Sequence, residues 1–103
     1  SQALAYIRKQ ACHSIRVEEV ARHCDVSRAN LEKKFKGLMG RTVHAEISRM
    51  QLKKVEELLS NSDLSLKKIA ELSGFSTVQY MNSKLKSSSG LSPQKFRLQS
   101  QQN

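Results

Sequence analysis

Two stretches of this chain carry one pattern. Residues 17–40 and 66–90 can be laid over each other: Val17 falls on Leu66, Val20 on Ile69, Ala21 on Ala70 and Asp25 on Gly74, each 49 positions apart. Beyond the turn the offset becomes 50, pairing Ser27 with Thr77, Leu31 with Met81, Phe35 with Leu85, Lys36 with Lys86 and Gly40 with Gly90. One extra turn residue accounts for the step. The apolar positions in both copies are spaced three and four apart, the period of an amphipathic helix. The chain is thereby restricted to two copies of one helical unit and whatever joins them.

Each copy reads as a short helix, a tight turn and a longer helix. Ser27 and Thr77 stand where a hydroxyl can accept from the free N–H groups of the longer helix. Ala21 and Ala70 are small residues at the place where two helices must cross closely, which is the pattern of a helix-turn-helix. Between the copies, Val43, Ile47, Met50, Val55, Leu58 and Leu59 mark a helix of about 18 residues, roughly 27 Å long, that reads as a spacer. A first helix over residues 2–12 carries Leu4, Ile7 and Ala11. Ser65 caps a short fifth helix, Thr77 opens a sixth, and Ser92-Pro93 begins a seventh, proline being tolerated at a first helical position. The glutamine-rich residues 99–103 are expected to fray. With one proline and no sustained alternation of apolar and polar residues, nothing argues for a sheet. The expected fold is all-α, with seven helices forming two helix-turn-helix subdomains, residues 1–41 and 61–103, joined by a linker helix over 42–60.

Charge narrows the class of partner. There are 18 Lys and Arg against 9 Asp and Glu, a formal net charge of +9, which favours a polyanion. No apolar run approaches the roughly 18 residues of a membrane span, and no hydrophobic block resembles a signal peptide, so the chain is expected to be soluble and cytoplasmic. It opens on Ser and enters a helical pattern at once, and is read as a piece of a longer protein. Cys12-His13 and His23-Cys24 have the residue types of a zinc site, but both cysteines fall on core stripes, which turns the neighbouring histidines away. The cysteines are read as small buried hydrophobes. No acidic pair, GxSxG, phosphate loop or glycine-rich dinucleotide fingerprint supports catalysis, so neither an enzyme nor a cofactor nor a metal is expected.

The longer helix of each unit shows what the charge is for. In SRANLEKKFKGLMG, at 100° per residue, Leu31, Phe35 and Leu38 lie on one side. Ala29, Glu32, Lys33 and Lys36 lie on the other, flanked by Arg28 and Asn30. Such a helix anchors by one face and reads the major groove of duplex DNA with the other. Lys33 reaches guanine acceptors and Asn30 pairs with adenine, each good base contact contributing about 1–3 kcal/mol of discrimination. Arg28, Lys34 and Lys36 are placed for phosphates. In the sixth helix Met81 and Leu85 point inward, Gln79, Asn82, Ser83 and Lys86 outward, with Val78 near the rim for a thymine methyl. The helix starts near Val17, Leu66 and Gln94 offer further N–H groups to phosphate. Successive major grooves on one face of B-DNA lie about 34 Å apart, a spacing that suits two reading heads on a long helix.

The doubled unit, with VEEVARHCDVSRANLEKKFKGLMG, LKKIAELSGFSTVQYMNSKLKSSSGLSPQKFR and a joining helix ending in Leu58-Leu59, resembles the DNA-binding region of AraC/XylS-type transcription regulators over nearly the whole chain. SRANLEKKFK and STVQYMNSKLK look closest to the xylose-operon regulator branch. The resemblance implies a bacterial transcription factor, often an activator that contacts RNA polymerase. It also implies an effector bound by a domain that precedes this region, a sugar in the xylose-operon branch. It puts base contacts at Arg28, Ala29, Asn30 and Lys33 and at Val78, Gln79, Asn82 and Ser83. Charge and helix starts, read directly, place phosphate contacts at Lys34, Lys36, Lys86, Gln94 and Lys95. Met81, Ser83 and Leu85 depart from the family's aromatic, arginine and phenylalanine. The alternative from the charge alone is a basic helical module docking on an acidic protein or an anionic membrane. RNA binding lacks the exposed aromatics on which unpaired bases stack.

Overall fold

A hydroxyl opens each α-helix but one. The side chains of Ser1, Ser27, Thr42, Ser65, Thr77 and Ser92 accept from the backbone N–H three residues on, at 3.0–3.3 Å. Each bond satisfies an N–H that a first helical turn leaves without a partner. The computed structural model describes residues 1–102. These starts set α1 (Gln2–Gln10), α3 (Arg28–Met39), α4 (Val43–Asn61), α5 (Leu66–Ser73), α6 (Val78–Ser89) and α7 (Pro93–Gln101), while α2 (Val17–His23) begins after Arg16 without a side-chain cap. The first helix is shorter than the apolar spacing implies, because Ala11–His13 tightens into a 3₁₀ turn that leads to a left-handed Ser14. Among the described residues there are seven α-helices and no strand, as the sequence predicts.

The repeat is reproduced at the two turns in one shared closing bond. The Val26 N–H donates to the Ala21 carbonyl at 3.1 Å, and the Phe75 N–H donates to the Ala70 carbonyl at 3.0 Å. Each is the six-to-one bond that closes a helix through a left-handed residue. That residue is Asp25 in one unit, at φ +55°, and Gly74 in the other, at φ +85°. Aspartate is among the few side chains that tolerate this region, which is why the same turn is written in two different residues.

Two compact units divide inside α4, the first being Ser1–Met50 and the second running from Gln51. In the first, Ile7, Val20, Ala21, Leu31, Phe35, Val43 and Ile47 form the core. In the second the core is Val55, Leu59, Ile69, Ala70, Phe75, Met81 and Leu85. The linker helix is therefore more than a spacer: its first half is a wall of one unit and its second half a wall of the other. Two expectations are corrected. Leu38 is 77% exposed, and Met39 instead packs beside Phe35 against the first core. The glutamine-rich end is also tied down, for α7 continues to Gln101, whose side-chain amide donates to the Leu59 carbonyl at 3.1 Å. Arg97 reaches the same end of α4, donating to the carbonyls of Leu59 at 3.3 Å and Leu64 at 2.8 Å. Asn103 lies outside the described residues.

A carboxylate sits in the wall of the first unit. Glu46 is fully buried, and the Arg49 fork grips it twice, Nε to Oε1 and Nη2 to Oε2, each at 3.0 Å. Arg41 Nη1 adds a third bond to Oε1 at 3.1 Å. The Arg49 hydrogen bonds outweigh the opposing effect of burial and, with the charges of Arg49, Arg41 and Arg8, hold the Glu46 carboxyl below its ordinary value.

Two outcomes follow for stability. Phe35→Ala is expected to cost about 3–5 kcal/mol, as for other buried aromatics, whereas Leu38→Ala stays within about 0.5 kcal/mol, both read from urea unfolding. A carboxyl with a lowered folded pKa stabilises fully above its unfolded value, 4.5 here, and loses that contribution as pH falls through the folded value. The unfolding free energy of the unmodified chain, read from urea curves, should therefore fall more steeply between about pH 5 and about pH 3 than that of Glu46→Gln, which starts lower at neutral pH by about 1.5–3 kcal/mol.

Candidate nucleic-acid interface

On α3 the division of faces is sharp. Leu31 and Phe35 are buried, and around the other side Arg28, Ala29, Asn30, Lys33, Lys34, Lys36 and Gly37 are exposed. Glu32, expected outward, is half-buried. Ser27 fixes the start of this helix through the Asn30 N–H, and a left-handed Gly40 ends it. The outward side chains thus project from a helix held at both ends and anchored along one side. Arg28, at the first helical position, donates from Nη1 to Oε1 of Glu18 on α2. Beyond Lys33 the face holds Gly37, where an added Cβ would meet no atom within 4 Å.

On α6 Met81 and Leu85 are fully buried, while Gln79, Ser83 and Lys86 are exposed. Val78 is half-buried and packs against the second core. Asn82 departs from its expected outward direction: its Oδ1 is buried and has no hydrogen-bond partner. Tyr80, which the apolar spacing does not single out, is half-exposed in the first turn. Its ring lies 5.9 Å from Phe75, and the Lys84 ammonium sits 5.7 Å from its centroid. An aromatic directly before a core position gives no helical signal of its own, so the sequence alone offered no reason to choose it.

The residues assigned to phosphate are accessible. Lys34, Lys36 and Lys86 are exposed on the recognition helices, and Gln94 and Lys95 are exposed in the first turn of α7, after buried Pro93. At the two cysteines, His23 stacks on Tyr6 with ring centroids 4.1 Å apart, and Cys24 packs against the first core. Among the described residues no helix is long and apolar enough to cross a membrane.

A doubled helix-turn-helix whose longer helices carry exposed cationic and polar faces has the build of a duplex-DNA-binding domain. Comparison with known proteins agrees. A family profile described as a helix-turn-helix domain matches residues 20–99. The xylose operon regulatory protein of Haemophilus influenzae is 40% identical over 97 residues, covering 94% of this chain and 25% of that protein. The structure of the xylose-binding transcription activator XylR superposes with a TM-score of 0.82 at 38% identity, over 92% of this chain and 25% of the other. The C-terminal domain of AraT, a response regulator from Geobacillus stearothermophilus, superposes with a TM-score of 0.89 at 28% identity, over 94% of this chain and 81% of that one. The chain belongs to the AraC-type helix-turn-helix family of transcription regulators, as a DNA-binding domain and not an enzyme. It spans about a quarter of the length of the xylose regulators it matches.

Gly37 gives a test of the α3 face that is independent of any DNA. A glycine inside a helix, with open space around its Cβ position, costs about 0.8–1.0 kcal/mol relative to alanine. Gly37→Ala is expected to raise stability by about that amount in urea unfolding, with a higher melting midpoint; a loss would mean that α3 is packed differently on this side.

Proposed function

We propose that this chain recognises a bipartite operator in duplex DNA, with α3 and α6 each reading a major groove. The carrying observation is that one arrangement occurs in both units: a hydroxyl-capped helix held by two buried side chains, with its polar residues exposed. In the first unit Arg28, Ala29, Asn30 and Lys33 face the bases. In the second this role falls to Val78, Gln79, Asn82 and Ser83. Lys34, Lys36, Lys86, Gln94 and Lys95 neutralise phosphates. The first unit supplies more of the charge and the second more of the neutral polar contact.

The chain serves a cytoplasmic bacterial regulator whose remaining part binds an effector, with a sugar suggested by the names of its relatives. Contact with RNA polymerase would make it an activator. The net charge of +9 supports a polyanionic partner, and the repeat favours duplex DNA over an acidic protein or a membrane surface.

Selection from a randomised duplex library at about 150 mM salt is the direct experiment. The expected product is two short motifs about one helical turn apart. Lys33→Ala should cost about 1–3 kcal/mol on the selected site and much less on scrambled DNA, whereas Lys36→Ala should weaken both alike and flatten the salt dependence by about one unit of slope. Tight binding to anionic vesicles with no duplex preference would overturn the reading.

A further inference from the structure

Glu18 has a folding role in the first turn of α2, whose start lacks a side-chain cap, but its ion pair with Arg28 at the turn of the first unit adds little to that. Arg28 and Glu18 expose 59% and 52% of their side chains, and an exposed pair contributes little to stability. Nor is the cation well placed for its own helix. Arg28 occupies the first position of α3, where the helix dipole disfavours positive charge, and Glu18 supplies the compensating negative charge from α2. A backbone hydrogen bond, and then the charges of Arg28 and Arg16, hold the Glu18 carboxyl below its ordinary value, so it is ionised at neutral pH. The pair borders an open cleft between α2 and α3 that also exposes Arg22 and Asp25. In the second unit the corresponding residues are Lys67 and Val78, which cannot form such a pair.

A carboxylate in this place has two opposite effects on DNA binding. It repels phosphate, lowering affinity for any duplex. It also pins a long side chain that would otherwise lose rotamer freedom on binding. One terminal N–H of the guanidinium is taken by Glu18, which leaves other donors of the planar fork to meet the O6 and N7 acceptors of a guanine. We infer that Glu18 is a positioning residue that aims Arg28 at a guanine in the half-site read by α3, gaining base preference at the expense of overall affinity. This rests on the base-reading role proposed above for Arg28.

The test applies the same randomised duplex library to the full chain, Glu18→Gln and Arg28→Ala, and measures each against scrambled DNA. Glu18→Gln is expected to reduce the preference for guanine at one base pair by about two- to fivefold, the range an exposed ion pair can supply, while tightening binding to scrambled duplex. The half-site read by α6 should not change. Arg28→Ala should erase the preference at that same base pair. If Arg28→Ala erases it and Glu18→Gln leaves it intact, the positioning role fails while base reading by Arg28 stands. If Arg28→Ala erases nothing, both fail. Equal losses for Glu18→Gln on selected and scrambled DNA would also overturn the inference, because they would mark a general effect on the fold.

Discussion

Each recognition helix is held to its unit along one face, chiefly by two buried side chains, and the rest of the molecule depends on that economy of attachment. Leu31 and Phe35 do this for α3, and Met81 and Leu85 for α6. Burying such residues stabilises by about 1.5–3 kcal/mol each, enough to hold a two-turn contact and leave the remaining faces free. A helix anchored so sparsely needs its ends fixed by other means. That is the work of the Ser27 and Thr77 hydroxyls at the starts and of the left-handed Gly40 and Gly90 at the stops. The preceding short helix must then approach closely, which Ala21 and Ala70 permit and the six-to-one bonds to their carbonyls lock.

These features were legible in the sequence because each is local. A cap is decided by one hydroxyl and the N–H three residues on, and a repeat of caps, alanines and apolar positions needs no knowledge of neighbours. What failed was what the neighbours decide. Periodicity puts Leu38 on the side of Leu31, but Leu38 is exposed and the last turn of α3 is covered on the Met39 side instead. Asn82 has a polar side chain on a nominally outward register, yet its carbonyl turns into the protein. Glu46 is the extreme case: a charged residue in a helix reads as solvent-facing, and only the approach of Arg41 and Arg49 makes its burial tenable. The frayed tail predicted from composition was overruled in the same way, by carbonyls at the end of α4 that Gln101 and Arg97 reach from across the second unit.

The repeat also exposes where the two units part company. Carried past Gly40 and Gly90, the same offset of 50 sets Thr42 against Ser92, Val43 against Pro93 and Glu46 against Phe96. One unit closes that position with a carboxylate gripped by arginines, the other with a half-buried aromatic against its core. A buried ion pair contributes less net stability than a well-packed apolar group would, so the first unit is not the tighter solution for folding. Its effect is to hold the Arg41 and Arg49 guanidiniums, both partly exposed, in definite places around one carboxylate.

The same contrast runs through the recognition helices. The first unit braces its leading arginine with Glu18, presents lysines along α3 and stores a carboxylate beneath its periphery. The second has Val78 where Arg28 stands, Ser83 where Lys33 stands, and a tyrosine beneath a lysine where Asn30 stands. Charge acts over several ångströms and falls with salt, whereas neutral polar and apolar contacts act only on touching and are indifferent to it. On the proposed reading, the first unit supplies most of the electrostatic grip and the second most of the short-range contact. Two copies of one fold can divide these tasks because what holds each recognition helix in place lies on the face opposite to what it reads.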